Sequence, residues 1–342
     1  MTPNPSGNPG SRWSDLDRPP LNAASLRRAL TGADSMWTSL DVVESTGSTN
    51  TDLASRAREG GAREGAVLVA EEQTAGRGRL ERGWSAPARS GIFVSMLIVP
   101  RVPQQRWGWV PLLAGVATAT ALSRTAGVDT KLKWPNDVLV DVRGEERKTG
   151  GILAERTDVA SEDAGGAAGG GAAGGGAGIV LGIGLNVTLR EQELPVPAAG
   201  SLVLAGAREA DRDPLLRSVL RSVEDWYGRW TAADGDPLSA GLLEAYAAGC
   251  VTLGRRVRAE LPGGERLVGE AVAVDSDGRL VIGTESGVQR PVAAGDIVHL
   301  RGDRGDGADG GPEGGSTESG PDDDGPDEGG PEESGPDGGA RQ

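Results

Sequence analysis

The sequence predicts an α+β protein in two folded parts: a mixed sheet with flanking helices, then a small all-β barrel. Three observations carry that prediction. From Trp37 to about Cys250, short apolar runs alternate with runs of helical period. Beyond Cys250, strand-like segments recur about ten residues apart between turn signals. The residues that make the average composition a poor globular one are confined to two stretches. Residues 165–178 are all Gly or Ala, and residues 302–342 hold 13 acids, two bases and 14 glycines. Together these account for 23 of the 56 glycines and 11 of the 15 net negative charges, so what lies between has ordinary globular composition. Segments of this kind bury too little apolar surface to offset chain entropy. The expected division is a disordered arm over 1–36 with a short helix in it, a catalytic-sized domain over 37–249 carrying a Gly/Ala-rich insert (157–178), the barrel over 250–301, and a disordered acidic tail over 302–342.

Within the arm, residues 1–20 are rich in Pro, Asn and Ser, and 22–30 form a short helix capped by Asn22. A strand over 37–44 leads to Ser48-Thr49-Asn50, which suits a helix N-terminus and opens a helix to about Ala57. An apolar strand (65–71), a Gly/Arg loop (73–84) and a second buried strand (91–99) follow. Small and apolar residues over 107–125 make a helix. Strands at 131–134 and 138–142 flank the turn Pro135-Asn136-Asp137, and strands at 151–156 and 179–187 border the insert. Leu215, Leu216, Val219, Leu220, Val223, Trp226, Tyr227 and Trp230 recur at helical spacing over 214–230, as one packed face. Five short strands (256–261, 267–274, 279–283, 288–291, 297–300) close the chain, with turns at Gly263-Gly264 and Asp277-Gly278.

Several function classes are excluded. One Cys (Cys250) rules out a disulfide framework, and one His (His299) rules out a Cys/His metal site. No apolar run reaches the ~18 residues of a membrane span, and the N-terminus lacks a secretory apolar core. A net charge of −15 argues against non-specific nucleic-acid binding. The expectation is a cytoplasmic enzyme.

Five motifs carry chemistry. Gly76-Arg77-Gly78-Arg79, followed by Arg82 and Trp84, combines backbone that a ligand can approach with three forked cations in six residues. It is neither a dinucleotide fingerprint nor a P-loop, since Glu81 stands at the last Gly position and no Gly-Lys-Ser/Thr follows. In an acidic protein, a merely solvated charged loop is the weaker reading. Lys131-Leu132-Lys133-Trp134-Pro135-Asn136-Asp137 offers an amide and a carboxylate on a turn, either an ordinary Pro-Asn-Asp turn or a Mg²⁺ site beside a triphosphate. Lys148-Thr149-Gly150-Gly151-Ile152-Leu153 sets a lysine before a glycine pair and a strand; it is a surface lysine or one reaching an anion across a pocket floor. Gly182-Ile183-Gly184-Leu185-Asn186-Val187 places glycines inside a strand, a sign of close approach by a ligand. Ser45-Thr46-Gly47-Ser48-Thr49-Asn50 is a helix cap or a set of polar groups aimed into a pocket.

Taken in this order and spacing, STGSTN, EEQTAGRGR…W, KWPND, K-x-G-G-I-L and GIGLN resemble the biotin protein ligases over about Asp41 to Arg301. The resemblance implies a class II aminoacyl-tRNA-synthetase/biotin-ligase-like mixed sheet with flanking helices, closed by an SH3-like β-barrel. It implies ATP and biotin as substrates, Mg²⁺, a biotinyl-5′-adenylate intermediate, and transfer of biotin to a lysine of a biotin carboxyl carrier protein or domain, as in acetyl-CoA carboxylase. Carried over position by position, it makes Lys148, Arg77 and Arg79 the catalytic cations. It places biotin against Ser48, Thr49, Asn50, Gln73, Gly76, Arg77, Gly78, Arg79, Lys148, Gly151, Leu153 and Gly182. It places the nucleotide against Arg79, Arg82, Trp84, Asn186 and Arg301, and makes Asn136 and Asp137 the candidates near Mg²⁺. Two departures stand out: Leu80-Glu81, where the family often has basic and Gly residues, and the long Gly/Ala insert.

Three other readings are weighed against this one. A lipoate ligase or octanoyltransferase of the same fold is the nearest rival, but the transferase relies on a cysteine and Cys250 lies away from the motifs. A biotin-sensing repressor needs a helix-turn-helix, for which about 36 residues before the first core strand leave no room, so no nucleic-acid partner is expected. A non-enzymatic scaffold leaves the converging cations unexplained. A homodimer is left open.

Overall fold

The structure is a computed structural model that describes residues 18–160, 176–261, 264–293 and 295–300. The expected short helix is α1 (Ala23–Leu30), with the Asn22 side chain accepting from the Ser25 N–H at 2.9 Å. β1 (Ser39–Val43) leads to α2 (Thr49–Arg58), capped by Ser48 as expected. β2 (Ala66–Ala70) is followed by a small hairpin, β3 (Gly76–Arg77) and β4 (Gly83–Trp84), where a plain loop was expected. β5 (Gly91–Ile98), α3 (Trp109–Thr125), β6 (Thr130–Lys133), β7 (Asp137–Val142), β8 (Glu145–Val159), β9 (Gly176–Asn186) and α4 (Arg212–Ala232) complete the larger part. An unanticipated helix, α5 (Leu242–Gly249), buries Leu242 and Tyr246. It spans two turns, too short for a helical period to stand out.

Among the described residues one sheet runs β1-β2-β5-β9-β8-β7-β6, parallel only between β1 and β2. Strand residues alternate between the two faces. Leu181, Ile183 and Leu185 of β9 join the main core together with α3 and α4. Val180 faces the other way, with Leu53 and Ala57 of α2. Gly182 and Gly184 therefore open the α2 face, where the chain leaves room for a ligand. β8 and β9 pair out to Val159 and Gly176, so both strands reach further than 151–156 and 179–187 and take up both borders of the expected insert. Residues 161–175 and the tail at 302–342 lie outside the described residues.

The barrel expectation is met by a five-stranded antiparallel sheet. β10 (Arg256–Glu260), β11 (Arg266–Val274), β12 (Leu280–Gly283), β13 (Gln289–Val292) and β14 (Asp296–His299) lie in the order β13-β12-β11-β10-β14. It is docked tightly on the larger part. The Trp109 and Trp134 indoles donate to Ser276 O and Gly278 O at 3.0 and 3.1 Å, and Arg255 clasps Glu146 at 2.8 Å. Gly108 meets the 275–278 turn so closely that a Cβ there would lie 2.2 Å from Asp277 O. His299 sits in this seam, with Thr252 Oγ1 and Arg255 each 3.2 Å from a ring nitrogen. Burial, then Lys133 and Arg255, push its pKa down to about 4 from 6.5. Above pH ~6.5 the ring is neutral in both states, whereas between 6.5 and 4 only the unfolded chain takes up the proton. Stability contributed here is therefore full at pH 7 and lost as pH falls. The urea midpoint should drop more between pH 7 and 5 in the parent protein than in His299→Gln; equal drops would contradict this.

The arm expected to be disordered is instead docked on the core over 18–30. Arg18 donates to Thr188 and pairs with Glu193, and the Leu21 N–H donates to Glu71 Oε1 at 2.6 Å. Glu71 and Arg212 form an ion pair at 2.6 Å with side chains 7% and 4% exposed, and Arg212 also donates to Pro19 O. Its polar atoms are satisfied from both sides, so removing one partner strands a buried charge. Glu71→Ala should cost about 3–5 kcal/mol of unfolding free energy; a change below about 1 kcal/mol in a denaturant titration would refute the assignment.

Candidate functional site

The α2 face of the sheet carries a pocket whose floor is made of glycine. Gly182, Gly184 and Gly151 lie on β9 and β8, the start of α2 forms one wall, and the β3–β4 hairpin covers the top. Ser48, Thr49, Asn50, Gln73, Arg77, Gly78, Arg79, Arg82, Trp84, Asn136, Asp137, Lys148, Gly151, Leu153 and Gly182 all line it. The glycines are needed for close approach. A Cβ on Gly182 would sit 2.2 Å from Asn50 Oδ1, and one on Gly184 would sit 3.0 Å from the Trp84 indole.

The wall is a continuous hydrogen-bond network. The Thr49 N–H and hydroxyl both donate to Gln73 Oε1, at 2.9 and 3.0 Å. Ser95 Oγ donates to Asn50 Oδ1 at 2.6 Å and lies 2.7 Å from Thr49 Oγ1. Asn50 Nδ2 donates to Leu153 O at 3.2 Å and to Glu155 Oε2 at 2.9 Å. Polar groups placed this way stay oriented when water leaves the pocket.

The cations meet carboxylates. Lys148 Nζ lies 2.6 Å from Asp137 Oδ1 and 5.8 Å from the Trp84 ring centroid. Arg77 pairs with Glu155 at 2.9 Å, and Arg82 pairs with Asp296 of β14. Arg79 donates to Asn136 Oδ1 and Gly295 O at 3.5 and 3.4 Å. Burial holds the Arg79 guanidinium below the ordinary arginine value, with Asp137 and Asp296 opposing that shift. The hydrogen bond and charge of Asp296 hold Arg82 above it. A desolvated cation of this kind attracts an anion more strongly than a hydrated one.

Some expected residues fall elsewhere. Lys148 lies inside β8, next to the irregular register at Val138/Leu139, and not ahead of the strand. Gly76 lies behind the lining, where a Cβ would strike Trp84 O at 2.4 Å. Asn186 is not in the lining. It is buried, its Nδ2 donates to Gly200 O at 3.0 Å, and its Oδ1 is without a protein partner. Arg301 lies outside the described residues. Sequence reasoning passed over Phe93, Asp296, Ser95 and Glu155. Ser95 alone left a sign, as a single polar residue in the apolar run 91–99. Asp296 reaches the pocket only because the small sheet docks beside the hairpin.

Comparisons with known proteins agree on one family. The model of the biotin/lipoate A/B protein ligase family matches residues 42–167, and that of the biotin protein ligase C-terminal domain matches residues 252–300. The chain is 44% identical over 291 residues to the biotin–[acetyl-CoA-carboxylase] ligase of Mycobacterium tuberculosis, covering 84% of this chain and 98% of that one. It is 32% identical to the bifunctional ligase/repressor BirA of Bacillus subtilis, covering 74% of this chain and 71% of that protein. Among solved structures, biotin protein ligase from Aquifex aeolicus in complex with biotin and ATP matches at a TM-score of 0.58 and 26% identity, covering 78% of this chain and all of that one.

Proposed function

Because the chain belongs to the biotin protein ligase family, we propose that it uses ATP to join biotin to a lysine of a carrier protein, the carrier of acetyl-CoA carboxylase being the candidate its relative's name supplies. In the first step the biotin carboxylate attacks the α-phosphate of ATP, giving biotinyl-5′-adenylate and pyrophosphate. In the second the carrier lysine attacks the mixed anhydride and AMP leaves.

The observation that carries this reading is the convergence of Lys148, Arg77, Arg79 and Arg82 over a glycine floor. The reaction brings two anions together and spreads charge over phosphorus oxygens. Its demand is therefore for fixed cations rather than for a nucleophile. Neither Cys250 nor His299 lines the pocket; Cys250 is buried, bridged to Leu132 of β6. That speaks against an acyl transfer through cysteine. On this reading the ureido group of biotin takes its partners from Ser48, Thr49, Asn50 and Gln73, and its apolar body lies on Gly151, Leu153 and Gly182. Lys148 and Arg77 face the carboxylate and phosphate. Arg79, Arg82 and Trp84, which line the pocket, serve the nucleotide.

Among the described residues no group of three or more His, Cys, Asp or Glu is assembled. Asn136 and Asp137 line the pocket side by side, and one amide with one carboxylate fits Mg²⁺ carried largely by water and the substrate phosphates. When bound, the ion would neutralise the leaving pyrophosphate. Among the described residues no helix is long and apolar enough to cross a membrane. The repressor activity in the Bacillus relative's name stays with that protein and is no part of this proposal.

The test is isotope exchange between pyrophosphate and ATP. It should depend on biotin and be unmoved by lipoate or octanoate. Exchange driven by lipoate and not by biotin would replace this reading with the rival one.

A further inference from the structure

We propose that Glu155 is a positioning residue that ties the hairpin over the pocket to the wall beneath it; the inference rests on the biotin-ligase reading of the same site. Glu155 lies on β8, two residues beyond Leu153, and is not part of the pocket lining. Its two oxygens have separate tasks. Oε1 pairs with Arg77 of β3 at 2.9 Å, and Oε2 accepts from Asn50 Nδ2 at 2.9 Å.

The second contact fixes which way the Asn50 amide faces. With Nδ2 held by Glu155 and Leu153 O, Oδ1 is turned to Ser95 Oγ and sits over Gly182. The first contact holds the Arg77 guanidinium above α2, where it also donates to Thr51 Oγ1 at 3.4 Å. One carboxylate thus sets the orientation of a wall amide and of a hairpin cation. The hairpin therefore closes in register with the wall only while both bonds are made. Of the pocket's three paired carboxylates, Asp137 and Asp296 line the cavity and are open to substrate, whereas Glu155 acts from behind it.

Loss of Glu155 should loosen what the pocket retains and leave the reactivity of the mixed anhydride alone. In Glu155→Ala, purified as a folded monomer or oligomer with the parent's melting behaviour, the half-life of bound biotinyl-5′-adenylate should fall at least tenfold. The KM for biotin should rise about as much, and kcat for exchange should change less than threefold. Glu155→Gln offers one acceptor to two donors, so it should lie between parent and Ala; it also preserves shape if the alanine variant is unstable. Pairing each change with Arg77→Ala should remove most of the effect on adenylate half-life. An adenylate half-life within twofold of the parent in both variants, with the parent active, would overturn the role of Glu155 and leave the ligase reading standing. A parent protein that forms no adenylate from biotin and ATP would overturn both.

Discussion

Lys148→Ala should slow biotin-dependent adenylate formation by about 10²–10³-fold, equivalent to about 2.7–4 kcal/mol of transition-state stabilisation. The side chain reaches across the glycine floor to Asp137 at 2.6 Å, beside the Trp84 ring. On the proposed reading, this is where carboxylate and phosphate oxygens converge. Arginine should not restore the rate, because a forked guanidinium does not replace a compact ammonium between a floor and an indole. Removing the lysine also leaves the Asp137 charge facing incoming phosphates, and that repulsion alone would slow the reaction. The double change Lys148→Ala with Asp137→Asn separates the two causes: if the ammonium acts on substrate, the double variant stays slow. Exchange within a few-fold of the parent in Lys148→Ala would remove Lys148 from the catalytic set.

The second large effect comes from a change of one methyl group. Gly182→Ala sets a Cβ 2.2 Å from Asn50 Oδ1, an atom pinned by Ser95 and unable to swing aside while Glu155 and Leu153 O hold the amide nitrogen. Either the wall moves or β9 does. Overpacking of this sort costs about 1–3 kcal/mol of stability, but the functional cost should be greater, since the displaced wall is the surface proposed to hold biotin. Biotin affinity measured by equilibrium dialysis should fall at least ~100-fold, while the protein stays folded at 25 °C. Binding within threefold of the parent would show that Asn50 is no part of the biotin wall.

How much of this was legible in the sequence depends on range. Ser48 as a cap and the five strands after Cys250 follow from local chemistry, and the structure has them within a residue or so; the strand expected at 151–156 is also present but begins at Glu145. Most candidate residues came together because the start of α2, the β3–β4 hairpin, the turn before β7 and the interiors of β8 and β9 meet on one face of the mixed sheet. What escaped was set by tertiary contact. The hairpin at β3 and β4 has only two residues per strand, so no alternation shows. Arg18 and Leu21 belong to a stretch read as a disordered arm, and distant partners dock them: Thr188 and Glu193 hold Arg18, and the buried Glu71–Arg212 pair holds Leu21. Asp296 lies far from the hairpin in sequence and reaches Arg82 because Gly108 and the two indoles seat the small sheet closely. Glu155 looks like any strand carboxylate until Arg77 and Asn50 are seen on its two oxygens.

The net charge of −15 is carried mostly by residues 302–342, while the pocket is lined by four cations. Bulk acidity is thus no guide to the ligand. A truncation ending at Arg301 should keep adenylation within twofold of the full chain, checked by pyrophosphate exchange.

Transfer of biotin to a carrier lysine is the proposed reaction in full. Purified chain, ATP, Mg²⁺, biotin and an apo carrier domain of a biotin-dependent carboxylase, resolved on a gel and probed with avidin, test it directly. An avidin-reactive carrier band should appear that requires ATP and biotin and is lost when the carrier lysine is replaced by arginine. No band with the intact carrier, while a control ligase labels it, would contradict the account.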